Sequence, residues 1–465
     1  MNLSHNITSE NGALSSLELL APAGGLEQLI AAVNFGADAV YLGLDQFSMR
    51  AKAKNFSFDE LSEGVKIAHS AGVKVHVTLN IQMHEDDLKV LPSYFEKIQA
   101  AGVDAAIIGD IGAMQLLLKH APGVELHVST QAAVANSESA KAFYQMGASR
   151  VVLAREMTMS EISEFRLNIP PELEVEAFVH GAQCMAQSGR CLISSYLCDR
   201  SANRGACTQP CRWGYHIVEE KRPGLEFDLE EVSLYQTANP ELLSSIDFLP
   251  ADTGMCSKRE TVSGADEDSG VRSLTYLFNA QDLCMIDHLQ ELADVGVNSI
   301  KIEGRNKKAF YVASVVGAYR RVLDGAAPES VHEELECVSH RPYSCGFYYA
   351  NPRQSLDFDG YTQQTLHVAD VLDCTLMPDS DEFELTIRCR NKICQDEQIE
   401  ALIPKSGVKT FSISNFVWLD KLGVEREQEE VNRPGELYHA TSKVEIPKGS
   451  FLRKREERIT SRAIA

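Results

Sequence analysis

Between residues 17 and 304 the chain repeats one pattern, in which a short apolar segment precedes an amphipathic stretch that mostly ends in glycine before the next apolar segment. Apolar runs that alternate with amphipathic stretches are typical of parallel strands covered by helices, and glycine after the last turn stops a helix. Eight apolar segments predict a (β/α)8 barrel, with an open doubly wound sheet as the alternative. The predicted strands are 17–22, 38–44, 73–80, 104–110, 124–130, 150–156, 173–180 and 298–304.

The rest of the chain departs from this pattern. The seventh and eighth predicted strands are separated by a long stretch that holds a cysteine-rich segment (181–215) and an acidic insertion (about 219–271). Connections of that length are usually functional or disordered, and we expect the first to be functional and the second flexible. The predicted divisions are a disordered N-terminal extension (1–16), an α/β barrel domain (17–325), a connecting segment (326–364), a small antiparallel β-domain (365–455) and a basic tail (456–465).

The composition limits the class of protein. With 44% hydrophobic and 24% charged residues among 465, the chain can form a sizeable core. The sequence has no run of about 18 apolar residues and no signal-type N-terminal segment, so we expect neither export nor membrane insertion. Twelve cysteines in a chain of this length, seven of them scattered outside the cysteine-rich segment, do not resemble a small secreted disulfide scaffold and indicate reducing cytoplasm. The net charge of −22 argues against a general nucleic-acid coat and leaves room only for a local basic face.

Four cysteines in the segment after the seventh predicted strand have the spacing C-x6-C-x15-C-x3-C. Thiolates bind zinc or iron–sulfur clusters, and four of them complete either centre. Structural zinc sites usually have two short knuckles, whereas only one is present here, so the spacing favours an iron–sulfur cluster. The alternative is that these cysteines are buried small hydrophobes, although the segment is polar and rich in turns. The candidate ligands are Cys184, Cys191, Cys207 and Cys211, with Cys256 as an alternative fourth.

Polar residues lie at the ends of the predicted strands, where a barrel carries its active site. The candidate catalytic residues are Arg155, His180 and Glu303. Lys301 and Arg305 share one face of the last strand with Glu303 and could clamp an organic dicarboxylate or an RNA phosphate. Further candidate substrate-binding residues are Arg50, Asn55, Asn80 and Gln131.

These candidates have structural alternatives. Glu303 could instead form an internal ion pair with Arg50 or Arg155, and His180 could be a hydrogen-bonding structural residue. Arg50 and Asn55 could serve as surface helix caps. The sequence alone leaves these alternatives open.

Four segments carry a family resemblance. The stretch around the first two cysteines resembles the signature of the collagenase-like peptidase family: EAFVHGAQCMAQSGRCLISSYL. Three further segments agree with it: LLAPAGGLEQLIAAVNFGADAVYLGL, AQDLCMIDHLQELADVGVNSIKIEGRNKKAFYV and HRPYSCGFYYANP. The resemblance spans residue 18 to about 350, and the β-rich tail is similar to the family's C-terminal domain.

The resemblance implies oxygen-independent hydroxylation of RNA bases, or of ubiquinone precursors in shorter relatives. For members of this layout it implies tRNA as partner, 5-hydroxyuridine at the wobble position as product, and prephenate as co-substrate. It further implies a 4Fe-4S cluster on the four cysteines, namely Cys184, Cys191, Cys207 and Cys211. Some ubiquinone-pathway relatives take one ligand from farther downstream, which keeps Cys256 open.

Hydroxylation of ribosomal RNA is one alternative to hydroxylation of tRNA. Two functions of a different kind also compete. A collagenase-like peptidase is the first, although the chain has no G-x-S-x-G nucleophile elbow and no H-E-x-x-H zinc motif; the run HEELE at His332 lacks the second histidine. A non-catalytic zinc protein is the second, because zinc also accepts four thiolates.

Overall fold

The computed structural model describes residues 14–49, 55–222, 225–228, 246–250, 276–352, 354–355, 360–378, 380–419 and 424–460. The helices of this part are α1 (Leu26–Asn34), α2 (Phe58–Ser70), α3 (Glu85–Ala100), α4 (Ile111–His120), α5 (Ser137–Gln145), α6 (Met159–Leu167), α7 (Ile193–Cys198), α8 (Leu289–Asp294), α9 (Ala309–Leu323) and α10 (His332–Glu336). Short 3-10 turns cover Thr130–Ala132, Gln187–Gly189, Ala202–Arg204, Pro210–Arg212, Ile286–His288 and Pro328–Val331.

The first part of the chain contains the parallel barrel strands together with a few antiparallel strands, whereas all strand pairs of the last part are antiparallel. The first part holds β1 (Glu18–Ala23), β2 (Ala39–Leu42), β3 (Lys74–Leu79), β4 (Ala105–Ile108), β5 (Glu125–Val128), β6 (Arg150–Val152), β7 (Glu174–Ala182), β8 (Tyr215–Arg222), β9 (Leu225–Asp228), β10 (Ile246–Pro250), β11 (Asp282–Cys284), β12 (Ser299–Ile302) and β13 (Tyr343–Ser344). The last part holds β14 (Tyr361–Leu376), β15 (Phe383–Cys389), β16 (Ile393–Cys394), β17 (Gln398–Ile403), β18 (Gly407–Leu419), β19 (Glu425–Gln428), β20 (Glu430–Val431), β21 (Leu437–Ser442) and β22 (Phe451–Thr460).

The parallel strands form a closed barrel. β1 to β7 pair in chain order, and β12 pairs in parallel with both β1 and β7. These are the eight strands expected from the sequence, each within two or three residues at its start, so the (β/α)8 prediction is confirmed and the open sheet is wrong. Gly36 and Gly147, which follow α1 and α5, have φ of 99° and 103°, the left-handed helix-stop conformation that glycine adopts without strain.

A buried network of charges lies inside the barrel. Arg150, only 3% exposed, contacts Glu18 at 2.5 Å, Glu174 at 2.6 Å and Glu176 at 3.2 Å. Lys301 reaches the other oxygen of Glu176 at 2.7 Å. Charges this deep are tolerated because each is paired and hydrogen-bonded, so the interior is a packed polar core and not an open channel.

The C-terminal part forms a seven-stranded antiparallel sheet, in the order β17-β22-β14-β15-β21-β18-β19, as predicted. It has its own apolar core, in which Val368, Ile387 and Leu452 are fully buried. Arg453, 1% exposed, joins this sheet to α10 because it contacts Glu334 at 2.5 Å as well as Glu400 of β17 at 2.8 Å. The sheet is therefore fixed to the barrel domain by a buried ion pair.

Some sequence predictions concern residues outside the described part. These are the predictions for the chain ends and for most of the acidic insertion, at residues 1–13, 229–245, 251–275 and 461–465. Next to the insertion, β8 pairs in antiparallel fashion with β9 and β10. Sequence analysis assigned no strand there. Among the described residues, no helix is both long and apolar enough to cross a bilayer.

The charge network predicts the effect of Glu176→Ala. Glu176 is fully buried between Lys301 and Arg150, so its removal leaves buried cations without a partner. We expect the free energy of unfolding to fall by about 3–5 kcal/mol, measured by urea denaturation. Glu138→Ala is the matched control, since Glu138 is 81% exposed in its pair with Lys141 and should cost at most about 1 kcal/mol. Equal losses in the two variants would contradict the structural role of the network.

Candidate active site

The cysteine-rich segment after β7 is held over the C-terminal end of the barrel. Arg204 forms an ion pair with Asp87 at 2.6 Å and donates to the carbonyl of Gln82 at 2.8 Å, and both partners follow β3. The backbone N–H of Gln82 in turn donates to the carbonyl of Asn203 at 2.9 Å. One side of the segment is thus tied to the end of β3.

A second set of contacts ties the other side of the segment to the ends of β5 and β6. The hydroxyl of Ser188 donates to Glu156, which follows β6, at 2.7 Å. Arg190 donates from Nε to the carbonyl of Gln131 at 2.8 Å, and a Cβ on Gly189 would collide with the Gln131 amide. The segment therefore crosses the barrel mouth.

The four candidate ligand cysteines lie in this segment. Cys184 is exposed, whereas Cys191, Cys207 and Cys211 are partly buried. Burial raises the pKa of Cys211 to about 11, and its thiol is close enough to Cys184 and Cys207 for both to raise it further. Cys184 and Cys207 are therefore both within electrostatic range of Cys211.

Backbone donors already point at two of the sulfur atoms. Ile193 donates to Cys191 Sγ at 3.4 Å and Gln209 donates to Cys207 Sγ at 3.3 Å. Hydrogen bonds of this kind stabilise ligating sulfur and tune cluster potentials. The chemistry of these sulfur atoms, with N–H groups donating to them, therefore fits a thiolate-ligated centre. In the described residues, however, no three Cys, His, Asp or Glu side chains are arranged as ligands of one metal ion.

Two other cysteines bear on the ligand set. Cys198 lies between the candidate ligands but accepts a hydrogen bond from the Thr208 hydroxyl at 3.3 Å. Its sulfur accepts a hydrogen bond as those of Cys191 and Cys207 do, so only its spacing separates Cys198 from the candidate ligands. Cys256, the alternative fourth ligand, lies outside the described residues.

Arg155 and Glu303 meet at the mouth. They form an ion pair at 3.4 Å, with side-chain exposures of 16% and 12%. Arg155 also stacks on Phe178, 3.9 Å from the ring centroid, and donates to the carbonyl of Ala182 at 3.2 Å. The internal ion pair that the sequence left open is present with Arg155; Arg50 lies outside the described residues. Catalytic roles for Arg155 and Glu303 stay predictions.

His180 faces the helix layer. The register between β7 and β12 shifts between Phe178 and His180, and such a bulge re-aims the next side chain. The ring lies 5.5 Å from Tyr319 of α9, whose hydroxyl is 3.3 Å from Nδ1. Burial lowers the pKa of His180 to about 3, so the ring is neutral at physiological pH. Its role as a catalytic base stays a prediction.

The residues expected to clamp an anion are already engaged. Lys301, 4% exposed, points into the barrel and pairs with Glu176. Arg305, 5% exposed, donates to the hydroxyls of Ser48 and, at 3.1 Å, Thr78. Because β12 ends at Ile302, Glu303 and Arg305 lie in the loop beyond it and do not share a strand face with Lys301.

The remaining predicted binding residues are polar groups near strand ends. Asn80 follows β3 and accepts from the Met49 backbone at 3.1 Å. Asn55 is half-buried beside Phe56, whose N–H donates to the carbonyl of Gly43 at the end of β2. Asn80 and Gln131 are therefore near the mouth, and their binding roles are untested.

Sequence reasoning missed a group of charged residues beside the cysteines. Arg212, Lys307 and Arg341 surround Asp282 and Tyr361 where the ends of β7 and β12 meet β11 and the start of β14. Two of the cations lie in segments that carried the family resemblance, IKIEGRNKK and HRPY, but no spacing rule joins residues so far apart. The pairing of β11 with β7 and β13 brings them together.

The fold and site define a class: a (β/α)8-barrel protein with a cysteine-rich cover on the mouth and a C-terminal antiparallel sheet. The model of Peptidase family U32 matches residues 24–357, and the chain belongs to that family. The resemblance inferred from four sequence segments is thereby confirmed.

Three relatives indicate the range of activities named within the family. The chain is 37% identical over 339 residues to tRNA hydroxylation protein P of Escherichia coli (strain K12), covering 71% of this chain and 74% of that protein. It is 31% identical over 353 residues to a collagenase of Porphyromonas gingivalis, covering 72% and 74%. It is 32% identical over 313 residues to the 23S rRNA 5-hydroxycytidine synthase of Escherichia coli, covering 67% of this chain and 40% of that protein.

The contact between the cover and β3 predicts the effect of Arg204→Gln. Loss of the ion pair with Asp87 should let the segment open more often, and its amides should exchange hydrogen up to about fivefold faster, since such pairs contribute up to about 1 kcal/mol. Hydrogen–deuterium exchange of peptides within 184–212 measures this. Arg200→Gln is the control in the same segment, because Arg200 has no ion pair among the described residues. Unchanged exchange in Arg204→Gln would contradict the tethering role.

The environment of His180 predicts a pH dependence of stability. Its folded pKa of about 3 lies below the ordinary 6.5, so the unfolded chain binds an extra proton between these pH values. The free energy of unfolding should fall below pH 6.5 by about 1.4 kcal/mol per pH unit from this residue. In His180→Phe the decline between pH 6.5 and 4.5 should be shallower by that amount, measured by urea denaturation. His69→Phe, at a histidine 41% exposed, should leave the slope steep; an identical slope in His180→Phe would disprove the burial effect.

Proposed function

We propose that the protein hydroxylates a uridine of tRNA, forming 5-hydroxyuridine at the wobble position. The observation that carries the proposal is the similarity to tRNA hydroxylation protein P over 71% of this chain and 74% of that protein. The ribosomal RNA relative is matched over only 40% of its length, which favours tRNA as the substrate class.

The four cysteines would hold a 4Fe-4S cluster, with zinc as the alternative metal. When bound, such a cluster would supply one-electron redox chemistry. The nearness of Cys184, Cys207 and Cys211 and the N–H donors to sulfur support ligation in this segment. Prephenate, a dicarboxylate, would be the co-substrate and needs a cationic site nearby.

The outer surface of the cover is suited to single-stranded RNA. Tyr196 is 83% exposed and Leu192 is 57% exposed, and Arg190 is exposed in the same segment. Aromatic and cationic side chains stack on unpaired bases and attract the backbone. A local surface of this kind is compatible with a net charge of −22, because recognition of one loop needs few cations.

Peptide hydrolysis is the competing function, since one relative is named a collagenase. His180 is the histidine that sequence analysis offered as a base. A buried imidazole with a pKa of about 3 is a poor base near neutral pH, and the ring contacts tyrosines rather than a nucleophile. Hydrolysis is therefore ranked below hydroxylation.

The test uses a bacterial strain that lacks every source of 5-hydroxyuridine in tRNA. The wild-type chain should restore the nucleoside, measured by mass spectrometry of digested tRNA, and should lose this ability when prephenate synthesis is blocked. Cys211→Ser should abolish restoration and reduce bound iron, whereas Cys198→Ser, in the same segment, should retain both. Comparison with Cys256→Ser identifies the fourth ligand by iron content.

The proposal fails if the anaerobically purified protein is colourless and holds one zinc per chain. It also fails if the wild-type chain restores no hydroxylated uridine although it is expressed and loaded with iron. Release of peptides from collagen by the same preparation would favour the peptidase.

A further inference from the structure

Three cations gather at the junction of four parts of the molecule. Arg212 belongs to the cysteine-rich segment, Lys307 follows β12, and Arg341 precedes β13. Tyr361 begins β14 of the C-terminal sheet, and Asp282 lies on β11, which pairs with the end of β7. The group therefore sits at the C-terminal end of the barrel, where active sites of this fold lie.

Asp282 forms an ion pair with one of these cations, Arg341. Arg341 donates to Asp282 Oδ1 from Nε at 2.9 Å and from Nη2 at 2.6 Å, and its backbone N–H donates to Oδ2 at 3.2 Å. The two side chains are 1% and 4% exposed. This pair is electrically neutral and enclosed.

The other two cations have only neutral partners at hydrogen-bond distance among the described residues. Arg212 donates to the hydroxyl of Tyr361 at 2.8 Å. Lys307 donates to the carbonyl of Ser339 at 2.8 Å, and its ammonium lies 4.9 Å from the centre of the Tyr311 ring and 5.3 Å from that of Tyr361. Two positive charges thus lack a carboxylate of their own in a partly buried place, which is costly unless an anion balances them.

Thiolates of the cysteines would balance only one of these two positive charges. Arg212 is near Cys184 and Cys211, so thiolates there would offset it. The groups that act most strongly on Lys307 are instead Asp282, Tyr361, Arg212 and Arg341, and burial lowers the pKa of its ammonium. Lys307 is consequently the cation that ligation of metal by the cysteines would leave uncompensated.

We propose that Arg212 and Lys307, beside the neutral pair of Arg341 and Asp282, form a binding site for a small organic carboxylate next to Cys184 and Cys211. Guanidinium groups match carboxylates in geometry, and Arg341 already holds the carboxylate of Asp282 in this way. Service of this carboxylate as co-substrate rests on the proposed function, whereas its binding does not.

Isothermal titration of the full-length, anaerobically purified protein tests the site, with malonate and inorganic phosphate as probes at constant ionic strength. Malonate should bind saturably and more tightly than phosphate. Lys307→Gln should weaken malonate binding about tenfold, as expected for loss of a charged hydrogen-bond donor. Lys308→Gln is the matched control, since the neighbouring Lys308 is exposed, and it should bind as the wild type does. Lys307→Arg, which retains the charge, should retain binding.

Several outcomes would overturn the inference. Absence of saturable malonate binding to the wild-type protein, tighter binding of phosphate, or equal weakening by Lys307→Gln and Lys308→Gln would each do so. Loss of iron from Lys307→Gln without loss of malonate binding would assign the cation to the metal centre. If Lys307→Gln fails to fold, the comparison of malonate and phosphate binding to the wild-type protein still tests the inference. Loss of malonate binding in Lys307→Gln with tRNA hydroxylation intact would support the binding site but refute its service as the co-substrate site. Saturable malonate binding by a wild-type protein that does not hydroxylate tRNA would refute only the proposed function.

Discussion

The pairing of β12 with both β1 and β7 is the interaction on which the rest of the structure depends. It joins strands that are far apart in the chain, and the Ser299 hydroxyl on β12 donates to Glu18 on β1 at 2.9 Å across 281 residues. Closure directs the C-terminal ends of all eight strands to one mouth. It also places the loop after β12 beside the end of β7, so that Glu303 meets Arg155 and Lys307 lies near Asp282.

Closure also determines which cations remain for a ligand. Lys301 points inward, and the interior contains Glu176 and Arg150, so its ammonium completes the buried network. Arg305 is likewise satisfied by hydroxyl groups from two neighbouring parts of the barrel. Lys307, in the loop after β12, and Arg212, in the cysteine-rich segment, instead donate hydrogen bonds only to neutral groups among the described residues. Strand-end position alone is therefore a poor guide to ligand binding.

The sequence predicts the barrel because its signal is local and repeated. Apolar segments recur eight times, glycine helix stops precede five of them, and tertiary contacts did not override these signals. Side-chain direction at the site was less predictable. His180 should face inward by alternation, but the bulge after Phe178 turns it toward α9. The cation group was missed because β11 and β13 are only three and two residues long, too short to leave a periodic pattern.

The C-terminal sheet belongs to the site through a chain of contacts. Cys211 and Arg212 share one 3-10 turn, and Arg212 donates to Tyr361, the first residue of β14. β14 is paired along most of its length with β22, and β22 carries the Arg453 that is buried against Glu334 of the barrel domain. A shift of the sheet would therefore move Tyr361 and, with it, the turn that holds one candidate ligand cysteine. The position of the cysteine cover therefore depends on the barrel loops on one side and, through Tyr361 and β22, on a sheet that is anchored by a buried ion pair on the other.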